Sequence, residues 1–213
     1  MVISDTFIWL HIPKTAGDAT LLMFEELHHP WRLIDRHTDP RKHGTLADAY
    51  ARVPESRGFA VIANLRRLPE VALSYFHHMQ RHAPGERFAS GKCYGEIQFS
   101  DYIRWVIDHP ETQSYDWILN HHLGDRDADH WLRASSSLAE SFIDVIGRYI
   151  AIPAETRDRI RLVKANVGNY AKKSLDAWYA PHEIDALYTN CPRWAETERK
   201  VYGDLATRGG ESR

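Results

Sequence analysis

Three groups of residues have the types and spacing needed to hold an anion and move a proton beside it. The first is PKTAGDAT, Pro13 to Thr20, with a lysine, two hydroxyls and one glycine between an apolar run and a helical pattern. If a helix opens there, its first-turn N–H groups point at a ligand, its dipole favours negative charge, and Lys14 adds a full positive charge. An anion is therefore expected on Lys14, Thr15, Ala16, Gly17, Asp18, Ala19 and Thr20. The second group is Arg66 and Arg67 at the end of another apolar run. A guanidinium there suits bidentate contact with a phosphate. The third is RHTDPRKHG, Arg36 to Gly44, carrying His37 and His43. An imidazole titrates near neutrality and is the default acceptor of a hydroxyl proton.

Several chemistries are disfavoured by what these groups lack. A nucleotide triphosphatase loop, G-x-x-x-x-G-K-[ST], needs glycines before its lysine, and Ile12 and Pro13 stand there instead. The apolar run GFAVIANLRR, Gly58 to Arg67, ends in Asn64, Arg66 and Arg67, with no carboxylate for magnesium. The pattern suits a ligand with two separate anionic ends and no metal between them. His78 and His82 are four apart beside His77, and His121 adjoins His122, but neither set has a third ligand at metal-binding spacing.

The elements that must position these residues follow from hydrophobic period and turn chemistry. Phe7 to Ile12 reads as a buried strand, Pro13 to Gly17 as a tight loop and Asp18 to Leu27 as a helix. Trp31 to Asp35 reads as a short strand. Thr45 to Arg52 reads as a helix capped by Thr45. Gly58 to Arg67 is a strand and Pro69 to Arg81 a helix. The segment 83–97 reads as a flexible loop near an acceptor. Phe99 to Ile107 reads as an amphipathic helix capped by Ser100. Glu140 to Ile150 reads as the last apolar strand, followed by a helix from Ile152 to Val163 and closing helices Pro181 to Tyr188 and Arg193 to Tyr202. Alternating strands and helices imply an α/β fold of three layers, a central parallel sheet flanked by helices. The expectation is one domain over 1–213, with 208–213 a disordered tail.

With these motifs in order, the chain resembles the sulfotransferases that use 3'-phosphoadenosine 5'-phosphosulfate (PAPS). PKTAG resembles that family's loop for the 5'-phosphosulfate, and Arg66 with Ser74 resembles its 3'-phosphate motif. KHGT, Lys42 to Thr45, resembles a KHAT-type segment of bacterial members. FSDYIRWVI and ESFIDVIGRYI resemble the elements that follow, with Ile150 where the family has glutamate. KANVGN, Lys164 to Asn169, resembles a segment near the nucleotide, which brings in Asn166. The likeness spans roughly the whole chain at low identity, with its best register in the two phosphate motifs. It implies a P-loop fold, PAPS as cofactor, PAP as product and no metal. It also implies in-line sulfuryl transfer, with Lys14 stabilising the leaving group and His43 as base, His37 being the second choice. Arg67 is the alternative to Arg66, because a branch of the family places arginine two residues before proline. Asp18 and Ala19 depart from the family, which offers glycine, serine or threonine there. A carboxylate in the cradle repels the ligand unless it points away or pairs with a base such as Arg66.

Composition sets the remaining bounds. The chain has 213 residues, 43% hydrophobic, a formal net charge of −2 and two cysteines. Near-neutral charge argues against a nucleic-acid surface, and two cysteines make no disulfide framework. No apolar stretch approaches the ~18 residues of a membrane span, so a cytoplasmic enzyme without the anchor of Golgi relatives is expected. The expected partner is a small-molecule or carbohydrate acceptor. Two other classes fit the same residues: a PAPS- or PAP-binding protein that has lost catalysis, motivated by Asp18 and Ile150, and an ATP-dependent phosphotransferase, motivated by Lys14-Thr15 alone.

Overall fold

The computed structural model describes residues 1–88, 91–163 and 173–207. They form a mixed α/β protein in two compact units, one built from 1–66 and 118–163, the other from 67–117 and 173–207. Asn166 and the tail 208–213 lie outside the described residues.

The first unit contains a five-stranded open sheet. Its strands are β1 (Val2–Ile3), β2 (Phe7–Leu10), β3 (Leu33–Ile34), β4 (Ala60–Leu65) and β5 (His130–Arg133), in the order β3-β1-β2-β4-β5. β2 pairs parallel with β4 in the register Leu10↔Ala63, and β4 parallel with β5 as Leu65↔Arg133. β1 pairs antiparallel with both β2 and β3, so β2, β3, β4 and β5 run in one direction and β1 against them. Every residue of β2 is fully buried, which is why the strand reads as a continuous apolar run rather than an alternation.

Helix α1 (Gly17–Glu26) follows β2, and α2 (Leu46–Arg52) precedes β4. Thr45 caps α2 as its sequence implies: the Asp48 N–H donates to Thr45 Oγ1 at 3.1 Å, and the Thr45 N–H to Asp48 Oδ2 at 2.7 Å. One core gathers Phe7 and Trp9 of β2, Ile62 of β4 and Leu132 of β5 with Leu21 and Phe24 of α1. The Phe24 and Phe142 rings meet edge to face at 4.9 Å.

The second unit is helical: α3 (Leu68–His82), α4 (Phe99–Asp108), a short α5 (Pro110–Gln113), the first turn of α6 (Asp116–Leu123) and, further along, α9 (Glu183–Thr189) and α10 (Pro192–Tyr202). Asp116 accepts from the N–H groups of Arg193 and Trp194 at 2.8 and 2.7 Å, capping α10 from a distant part of the chain. Between α3 and α4, the chain forms a bridge between Arg87 and Cys93 and a short turn at Tyr94–Glu96.

Two expectations are corrected. The segment 140–150 is not a strand: it lies in and just beyond helix α7 (Leu138–Ile146), which precedes α8 (Ala154–Leu162). Leu138, Phe142, Val145 and Ile146 are buried on one helical face, at spacings of four, three and one. The last strand is β5, which sequence reading passed over. Ser100 does not cap α4 either. It lies within the helix, and the Gln98 N–H reaches Asp101 Oδ2 instead. Among the described residues no helix is long and apolar enough to cross a membrane.

Candidate anion-binding site

The loop between β2 and α1 is strained and then braced. Lys14 and Ala16 both take left-handed backbone angles, φ 65° and 68°, without being glycine, at a cost on the order of 1 kcal/mol each. Four hydrogen bonds hold this conformation. Thr15 Oγ1 donates to Ile12 O at 2.8 Å, and Thr20 Oγ1 to Ala16 O at 3.2 Å. The Asn64 amide, from β4, donates to Thr15 O at 3.0 Å and to Thr20 Oγ1 at 2.7 Å, while its oxygen accepts from Trp9 Nε1 at 2.7 Å. Both threonine hydroxyls thus face inward and brace the loop. Gly17 is required where it stands, because a Cβ there would lie 2.0 Å from Cδ2 of the buried His11 ring.

The consequence of that bracing is an open helix end. Gly17, Asp18 and Ala19 occupy the first turn of α1, where N–H groups have no intrahelical carbonyl, and the ladder starts with Thr20 N to Ala16 O at 3.2 Å. Lys14 is half-buried beside this end, and no residue among those described forms an ion pair or hydrogen bond with its amine. Burial lowers its pKa to about 8, opposed by Asp18 and reinforced by Lys42.

Asp18 points at basic groups. Its carboxylate lies 3.2 Å from Lys42 Nζ, 3.3 Å from His37 Nε2 and 3.8 Å from His11 Nε2. His43 sits on the short turn Pro40–His43 and packs its ring against His11 at 4.3 Å. Its Nδ1 is 3.0 Å from His11 O. A carbonyl only accepts, so Nδ1 carries the hydrogen and Nε2 keeps its lone pair. Burial, the largest influence, pushes the His43 pKa down despite that hydrogen bond, so the ring is neutral near pH 7.

Sheet direction brings these parts to one edge. The Lys14 loop leaves the carboxyl end of β2, the His37–His43 loop that of β3, and Arg66 that of β4, all running the same way. That edge is where open α/β sheets bind ligands. Arg66 is half-buried. Arg67 belongs to the second unit, where it is engaged by Glu198 at 3.1 Å and Asp204 at 2.6 Å, over the Tyr202 ring at 4.2 Å. Ser74 is buried in α3 of that unit. Two surface depressions share Ile34 and Arg36, the first lined also by Thr38 to Arg41, and neither includes a residue of the Lys14 loop. Among the described residues, no cluster of His, Cys, Asp or Glu is arranged to hold a metal ion.

Sequence reading missed Asn64 as a brace, His11 as the ring beneath Gly17, and Lys42 as a partner of Asp18. Asn64 carried a signal, a lone amide inside the apolar strand, which must find partners when buried. Comparison with family models, curated proteins and solved structures finds no match to this chain.

Proposed function

We propose that this chain is a PAPS-dependent sulfotransferase with a P-loop-type cradle in a three-layer α/β fold. The observation that carries the reading is the loop Pro13 to Ala19: a half-buried lysine without an anion beside three open N–H groups of a helix end, with Arg66 closing the adjacent parallel strand. The N–H groups take the 5'-phosphosulfate. Arg66 takes the 3'-phosphate that separates this cofactor from ATP.

In the reaction, the acceptor hydroxyl oxygen attacks sulfur in line, the bond from sulfur to the 5'-phosphate oxygen breaks, and PAP leaves. Lys14 meets the negative charge that grows on that departing oxygen. The acceptor's proton passes to Nε2 of His43, whose tautomer is set by His11 O. Transfer to a hydroxyl of a small molecule or carbohydrate fits this chemistry. A binding protein without catalysis is the second reading, favoured by the Asp18 carboxylate in the first turn.

Lys14→Ala tests the leaving-group role. It should fold with an unchanged melting temperature and lose transfer of labelled sulfate by at least ~100-fold, as for removal of one charge-stabilising group. Turnover near that of the unaltered chain would refute the assignment.

A further inference from the structure

The charges around the first turn of α1 do not balance. Lys42 pairs with the Asp18 carboxylate at 3.2 Å, while Lys14, which pairs with no residue among those described, lies within electrostatic reach of both. Lys42 is held there by design of its loop. Asp39 caps the turn through Arg41 N at 2.8 Å, Lys42 N donates to Asp39 O at 3.1 Å, and the neighbouring His43 is fastened to His11 O. The side chain of Lys42 is only 18% exposed, so its ammonium is directed inward at the helix end rather than left to solvent. Asp18 is 41% exposed on the same contact, and its rotation outward would free the lysine. His37 reaches the same carboxylate and is 61% exposed. An ammonium spent on a mere surface pair contributes little, typically ~0–1 kcal/mol. The arrangement reads better as an anion site whose own carboxylate occupies it at rest.

We infer that Lys42 is a second cation of the cradle and that Asp18 is its resting counterion, displaced when an oxyanion of phosphate or phosphosulfate binds. The inference rests on the cradle part of the proposed function and names two residue roles within it. Lys14 and Lys42 then face the anion together, and Asp18 swings away or is left to His37. Asp18 thereby lowers affinity and keeps the cradle from holding stray anions.

The test uses the full chain and two probes, PAP and inorganic pyrophosphate, with affinity read by calorimetry. Lys42→Ala should weaken PAP at least tenfold, and Lys42→Gln, which keeps the chain length, should do the same. Asp18→Asn, which keeps the shape, should tighten PAP severalfold. Opposite signs separate this role from a structural ion pair, for which loss of either partner acts alike. Asp18→Asn weakening PAP as Lys42→Gln does, or Lys42→Gln leaving affinity unchanged, overturns the inference. Pyrophosphate binding with the same opposite signs, but no PAP binding, supports the inference and removes the sulfotransferase reading. Binding of neither probe to the unaltered chain overturns both.

Discussion

Asn64 carries more of the site than any charged residue, because its one amide satisfies three groups at once. Trp9 Nε1, the Thr15 carbonyl and the Thr20 hydroxyl all end on it, and all four residues are buried. Asn64→Ala leaves the indole N–H and a carbonyl without partners, and an unmet buried polar group costs ~1–3 kcal/mol. The expected loss is about 3 kcal/mol in urea unfolding, with an unchanged denaturant slope and weakened PAP binding as the left-handed loop relaxes. A loss under ~1 kcal/mol would show that the loop holds itself. Lys14 and Arg66 were singled out in the sequence because each stands near the end of an apolar run, where turn residues and charge stand out. Lys42 was named there only within KHGT, since its partner Asp18 lies 24 positions away and no local pattern links them.

At the scale of elements, local signals decided what could be read. β2, the loop, α1, α2 with its Thr45 cap, β4 and α3 all carry their own punctuation, and their observed bounds fall within a few residues of those expected. Helix α7 was misjudged because Ile143, Val145 and Ile146 are β-branched and favour strands in isolation. Its buried positions nonetheless follow the helical period, and packing against α1 and β5 settles the matter. β5 was invisible for the opposite reason. Of His130, Trp131, Leu132 and Arg133 only Leu132 is buried, so no apolar run marks it. It exists as a strand because β4 offers a free edge, from Ile62↔His130 to Leu65↔Arg133.

At the scale of the molecule, two buried histidines of the first unit tie stability to pH. Burial holds the His11 pKa down at about 2 and that of His122 at about 4, against an ordinary value of 6.5. Folded, both stay neutral; unfolded, both bind a proton below pH 6.5. The unfolded state then holds more protons, so stability is complete above that pH and falls as the solution is acidified through it. At pH 5 each contributes a loss of about 2 kcal/mol. Urea midpoints measured from pH 8 to 5 should be level above pH 7 and drop steeply below pH 6. A flat profile would mean that the two rings are wetted and free to titrate.

The whole account turns on a ligand with two phosphate ends, and one comparison reaches it directly. Melting temperature is measured with PAP, AMP and ATP at equal concentration, with and without magnesium. Ligand at ~100 times its dissociation constant adds ~2.7 kcal/mol, worth roughly 5–10 °C in a chain of this size. PAP should raise the melting point by that much without magnesium, while AMP and ATP move it little. A shift from ATP with magnesium equal to that from PAP, or no shift from PAP, would contradict the assignment.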